Sequence, residues 1–223
     1  MIINHAYGIR RVLLLDPHDE HTAGFFEPMA EVVSALPILS HHLQSIYKGQ
    51  DTSDLMVVYG DAGEATRHDG YARTLLLPTA YMDKHREHHD DHPQVYGVVG
   101  QVQHRRVILV DDEVASGSTI REDMEALRKA EANVECLAFI HPVCRKHPKA
   151  IQTILATGIP RFVCTNSIPT SHLFEYAGDK LTVLSVGRLL GESVARIAMR
   201  GSLTALEDVS GLQAYTPAPH STS

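Results

Sequence analysis

The stretch that most constrains the fold is Arg106–Ile120, RVILVDDEVASGSTI. Its four consecutive apolar residues, Val107 to Val110, are rich in β-branched side chains and read as a buried strand. Two carboxylates, Asp111 and Asp112, stand at the carboxyl end of that strand. The small residues Ala115, Ser116, Gly117, Ser118 and Thr119 follow, and then the helical pattern of Ile120–Ala130. In an open α/β sheet, ligands bind outside the carboxyl ends of the strands. Backbone N–H groups of a tight turn and a helix N-terminus form an anion cradle there. Gly117 permits close backbone approach, and the Ser and Thr hydroxyls add donors. The acidic pair suits the two hydroxyls of a ribose, or a Mg2+ that carries pyrophosphate, better than phosphate itself. Together these features point to a sugar phosphate.

Strands and helices alternate on either side of this centre. Ile9–Leu15 reads as a strand that runs into Asp16, Pro17 and His18, and Ile38–Ile46 as a helix. Asp54–Tyr59 reads as a strand ending in the small, acidic turn Gly60-Asp61-Ala62-Gly63, with one helix over Glu64–Thr74 after it. Leu75–Asp83 contains a short strand leading into Asp83-Lys84-His85-Arg86, then a loop Glu87–Gln94 and the apolar Val95–Val99. Beyond the centre come strands at Val134–Ile140, Phe162–Cys164 and Leu181–Val186, and helices at Pro148–Ala156 and Arg188–Met199. This alternation predicts an α/β fold, a mainly parallel sheet flanked by helices on both sides. The tail from Gly211 is short of apolar residues and is expected to be disordered.

At 223 residues the chain is long enough to bury a substantial core. A net charge of −7 argues against a nucleic-acid footprint but is compatible with a metal-bridged phosphate ligand. No apolar run approaches a membrane span and no signal-peptide pattern opens the chain. Three cysteines without CxxC spacing suggest a reducing cytoplasm, with Cys136 and Cys164 in the core. The histidine-rich His85–His92 lies in a charged, poorly periodic stretch that reads as a solvated loop.

Arg106–Ile120 resembles the 5-phosphoribosyl-1-pyrophosphate (PRPP) loop of type I phosphoribosyltransferases and PRPP synthetases. Flanking motifs narrow the resemblance to the synthetases, or ribose-phosphate diphosphokinases. DPHDEHTAGFF is similar to that family's D-L-H…Q-G-F-F, VVYGDAGEATR to V-V-S-P-D-x-G, DKHR to D-K-R-R, and TNSIP to T-N-T-I-P. VLSVGRLLGESVARI resembles V-L-S-V-A-x-L-L-A-E-A-I-R-R-I, and the motifs occur in family order from about residue 10 to 210. Two positions depart from the pattern: Glu113 replaces an apolar residue, and Ala115 stands where synthetases carry Asp and many transferases a small residue.

The resemblance implies a type I phosphoribosyltransferase fold, a Mg2+ cofactor and a role for each matching residue. Asp111 and Asp112 would bind ribose hydroxyls, directly or through Mg2+, and Ala115, Ser116, Gly117, Ser118 and Thr119 would hold the 5-phosphate. His18 and Asp61 would hold Mg2+ near the polyphosphate. Lys84 and Arg86 would stabilise the transferred diphosphoryl group, with Glu87–Gln94 as the catalytic flap. It also implies residues 1–70 as a remnant of an amino-terminal half together with the closing segment, 71–210 as the PRPP-binding domain and 211–223 as a tail.

Set against the family, the chain begins midway through the amino-terminal domain. Much of the adenine pocket is therefore expected from a partner chain, or else ATP is not used in the family manner. The expected partners are ribose 5-phosphate or PRPP, ATP and further copies of the chain, without nucleic acid or membrane. Retained His18, Lys84 and Arg86 favour diphosphate transfer from ATP to ribose 5-phosphate. Ala115 favours a phosphoribosyltransferase that consumes PRPP, although no nucleobase-binding hood is recognisable. The short amino-terminal region favours a non-catalytic PRPP- or nucleotide-sensing subunit, against which Lys84 and Arg86 argue.

Overall fold

The computed structural model describes residues 2–3, 8–27, 30–85, 94–146, 148–170, 176–203 and 206. Short pairings lead the chain in. Ile2–Ile3 (β1) lies parallel to Phe26–Glu27 (β3), and Leu13–Leu15 (β2) parallel to Glu31–Val33 (β4). Asp16 ends β2 and accepts hydrogen bonds from Ser34 Oγ (2.6 Å) and the Ala35 N–H (2.5 Å) at the start of helix α1, Leu36–Tyr47. The strand end is thereby tied to the first turn of the helix that covers the sheet.

Seven strands make the main sheet: Leu55–Tyr59 (β5), Thr79–His85 (β6), Gln94–Val99 (β7), Arg106–Glu113 (β8), Asn133–His141 (β9), Phe162–Thr165 (β10) and Leu181–Leu184 (β11). Their order is β11-β10-β9-β8-β5-β6-β7, parallel throughout except for the β6–β7 pair. The α/β reading therefore holds, with strands lengthened or trimmed at their ends by a few residues. Arg106–Glu113 is the middle strand of this sheet, and Leu55–Tyr59 lies beside it in register with Arg106–Val110.

Period-two alternation splits each central strand between two cores. Met56, Val58, Val107 and Leu109 point to one face, where Ile120, Met124 and Leu127 of α4 (Ser118–Lys129) and Ile151 and Ile154 of α5 (Pro148–Ala156) cover them. Leu55, Val57, Tyr59, Ile108 and Val110 point to the other, against Leu39 and Leu43 of α1 and Leu189 of α6 (Gly187–Ala198). Because both faces are covered, the strands read as continuous apolar runs rather than as alternation. Cys136, Cys144 and Cys164 are free thiols buried in this interior.

One expected helix is two. Glu64–Thr74 divides into α2, Ala62–Arg67, and α3, Gly70–Leu75. The break falls at His68-Asp69, and a Cβ on Gly70, the first residue of α3, would stand 2.7 Å from Leu36 Cδ2, so the glycine admits α1 against α3. The strand placed at Leu75–Asp83 starts later, at Thr79, because Leu75 closes α3 and Leu76 turns the chain with φ 55° ahead of Pro78. Among the described residues no helix is long and apolar enough to cross a membrane. Residues 86–93, which hold most of the histidine-rich stretch, and the tail 211–223 lie outside the described residues.

Candidate active site

The strand order reverses between β5 and β8. From β5 the chain steps outward through β6 and β7, then returns to lay β8 on the other side of β5 and continues through β9. A crevice opens beyond the carboxyl ends at such a switch point, and ligands of open α/β sheets bind there. Gly60 and Asp61 follow β5 into this crevice, and Asp111 and Asp112 end β8 in it.

Local capping carries a third acid to the same place. Asp61 caps α2 by accepting the Glu64 N–H at Oδ1 (2.8 Å), and Glu64 Oε2 reaches back to the Gly60 N–H (3.1 Å). This reciprocal pattern resembles a capping box and folds the Glu64 side chain back toward the strand end. One carboxylate oxygen from each of Glu64, Asp111 and Asp112 then lies within 4.8 Å of the others, and all three residues are buried. Burial, followed by the charges of Asp112 and Asp61, pushes the Glu64 pKa up to about 8. Burial and then the Glu64 charge raise that of Asp111.

Three crowded buried carboxylates require either protons or a cation. Oδ1 of Asp112 has no hydrogen-bond partner although it is buried. A hard divalent ion such as Mg2+ prefers oxygen donors of this kind, and Glu64, Asp111 and Asp112 are the residues that fit it.

The other chemistry-bearing residues surround this cluster. His18 Nδ1 stands 2.6 Å from Asp112 Oδ2. Burial lowers the His18 pKa, but the hydrogen bond and charge of Asp112 outweigh it and raise it overall. Lys84, on β6, places Nζ 3.1 Å from both carboxylate oxygens of Asp123 on α4. Its charge also lowers the pKa values of Glu64 and Asp111, against the burial that raises them.

The small-residue loop sits at the amino end of α4. Val114 anchors it, donating its N–H to the His141 carbonyl (3.0 Å) and accepting the Cys144 N–H (2.8 Å). Gly117 caps the helix at φ 78°, where a Cβ would meet Ile154 Cγ1 at 2.9 Å and the Ala150 carbonyl at 3.1 Å. Ser116 Oγ lies 2.7 Å from Ser118 Oγ and accepts the Ser118 N–H. The first turn of α4 carries no acidic residue, so the positive end of its dipole is left for an anion. Ser116 and Thr119 are exposed at this end, Ala115 and Ser118 half-buried and Gly117 buried.

The structure thus brings His18, Asp61, Lys84, Asp111, Asp112 and the loop Ala115–Thr119 to one end of the sheet. Arg86 and flap residues 87–93 lie outside the described residues. Sequence reasoning missed Glu64 and Asp123, and each left a signal. Glu64 stands three residues after the capping Asp61. Asp123 falls on the stripe Ile120, Met124, Leu127, where an acid calls for a buried partner.

The phosphoribosyl transferase domain model matches residues 39–159, more than half of the chain, which therefore belongs to that family. Within it the chain is similar to ribose-phosphate pyrophosphokinases. It is 34% identical to that of Synechococcus elongatus over 201 residues, 89% of this chain and 58% of the relative's length. It is 32% identical to that of Bacillus caldolyticus, covering 90% of this chain and 61% of the relative. The crystal structure of phosphoribosylpyrophosphate synthetase from Mycobacterium smegmatis matches with a TM-score of 0.73 at 27% identity, covering 88% of this chain and 61% of that one. The chain spans about three fifths of the length of these relatives.

Proposed function

We propose that this chain carries a Mg2+-dependent ribose-phosphate diphosphokinase site, which moves diphosphate from ATP to ribose 5-phosphate in the cytoplasm. One observation carries the reading: the anion cradle of Ser116–Thr119, the carboxylates of Asp111 and Asp112 and the Lys84 ammonium converge on one switch point. The cradle suits the 5-phosphate through backbone N–H groups and hydroxyls. Asp111 and Asp112 suit the ring hydroxyls as acceptors.

In the reaction the C1 hydroxyl oxygen of the sugar forms a bond to the β-phosphorus of ATP. The bond from that phosphorus to the oxygen bridging it to the α-phosphate breaks, AMP leaves with the bridging oxygen, and the hydroxyl proton passes to solvent. Such transfer depends on positioning and on stabilising charge across phosphoryl oxygens. Lys84 supplies a point charge for that purpose, and Arg86, by the family resemblance, a planar fork. Mg2+, if held by Glu64, Asp111 and Asp112, would supply neutralisation of polyphosphate charge.

Purified chain incubated with ribose 5-phosphate, ATP and Mg2+ should form PRPP and AMP, read by phosphorus NMR, and Lys84→Ala should abolish the product. PRPP formation that survives Lys84→Ala removes Lys84 from the mechanism. Absence of PRPP while PRPP itself is bound and consumed with a nucleobase overturns the reading in favour of a phosphoribosyltransferase.

A further inference from the structure

Lys84 enters the site from β6 with acids around it. On one side stand Glu64 and Asp111, whose pKa values its charge lowers. On the other is Asp123, whose carboxylate oxygens both lie 3.1 Å from Nζ. The Lys84 side chain is 11% exposed and that of Asp123 is fully buried, so this is an interior ion pair rather than a surface contact. Packing does not ask for a carboxylate at this point of α4. Its neighbours on the helix face, Ile120, Met124 and Leu127, are apolar and buried, and a small apolar side chain would complete the stripe.

We propose that Asp123 is a positioning residue, which holds the Lys84 ammonium on the α4 side of the crevice. This rests on the reading of Lys84 as the cation that meets the diphosphoryl group. An ammonium has three donors. Asp123 has only two oxygens for them, so at least one donor stays available to a phosphoryl oxygen.

The test compares wild type, Asp123→Asn, Lys84→Ala and the double variant in the full chain. The first readout is PRPP formation. Asp123→Asn should lower kcat by about a hundredfold, the loss a misplaced catalytic group produces, and leave KM for ribose 5-phosphate unchanged. The second is binding of inorganic pyrophosphate with Mg2+, followed by calorimetry, which needs no turnover. Asp123→Asn and Lys84→Ala should each weaken it, and the double variant should be no weaker than Lys84→Ala alone.

Wild-type binding by a folded Asp123→Asn chain overturns the inference, as does an additive double variant, since the effect would then not pass through Lys84. If wild type makes no PRPP, the diphosphokinase reading fails and the pyrophosphate cycle still decides the role of Asp123. If Asp123→Asn does not fold, Asp123→Ala, which suits the apolar stripe, takes its place under the same criteria.

Discussion

His18 Nδ1 lies 2.6 Å from Asp112 Oδ2, which links the loop after β2 to the end of β8 across 94 positions of sequence. His18 has an exposed side chain, and Asp112 is nearly sealed from solvent. The contact is thus a charge-assisted bond with one wet partner and one dry one. Removing the imidazole in His18→Ala leaves both oxygens of a buried carboxylate without a described partner. The cost, discounted for the exposure of His18, is about 1 kcal/mol. Thermal melts in chelator should show a Tm several degrees lower, and Mg2+ should narrow the gap. Equal melting temperatures in chelator would mean that the bond contributes nothing.

Glu64 makes stability depend on pH with a definite sign. Its pKa in the fold is about 8 against an ordinary 4.5. Between these values the folded chain keeps a proton that the unfolded chain has released, so stability falls as pH rises through the window. Asp123, raised to about 6 from 3.8 by burial against the pull of Lys84, adds a smaller contribution of the same sign at the acid end. Metal-free protein should therefore melt at progressively lower temperature toward the alkaline end, and Glu64→Gln should flatten the slope. Stabilisation by Mg2+ should grow in the same direction, because the ion replaces the proton. A pH-independent Tm in the wild type would contradict the burial of three adjacent acids.

Gly117→Ala should damage both the loop and its packing. The backbone at φ 78° costs a non-glycine residue about 1–2 kcal/mol. The added methyl also meets Ile154 and the Ala150 carbonyl, which ties the amino end of α4 to α5. Urea unfolding should register a loss at or above that range, with weakened PRPP binding. A variant of wild-type stability would show that the cradle adopts another conformation.

Leu109, with no exposed surface at the centre of β8, tests the core beneath the acidic pair. Leu109→Ala should cost about 2–5 kcal/mol by chemical denaturation. PRPP affinity measured well below the unfolding transition should change little, since Asp111 and Asp112 are carried by the backbone pairings of β8 with β5 and β9. Loss of affinity without loss of stability would reverse the assignment of Leu109 to the scaffold.

Much of the site was legible because its signals are local. A strand of β-branched residues, two acids and a run of small residues before a helix describe adjacent positions, and chain connectivity alone keeps them together. The helix break at His68-Asp69 was not legible, because the helix that follows it is placed by packing against Leu36 of α1, distant in sequence. Asp61 shows both sides. It sits in the small, acidic turn read from the sequence, and in the fold its Oδ1 caps α2 and so turns Glu64 inward.

By itself, the sequence determined the alternation of strands and helices, the small-residue loop at the start of α4 and the acids at the end of β8, since periodicity and capping act within a few residues. Tertiary structure decided which acids share one space. Glu64 meets Asp111 and Asp112 only because β5 and β8 pair in parallel, with Val58 opposite Leu109, 51 positions further along the chain. The partner of Lys84 was decided in the same way, by α4 packing where β6 ends. Charge, burial and distance between remote segments are properties of packing, and a linear pattern carries them only as an unexplained acid on an apolar stripe.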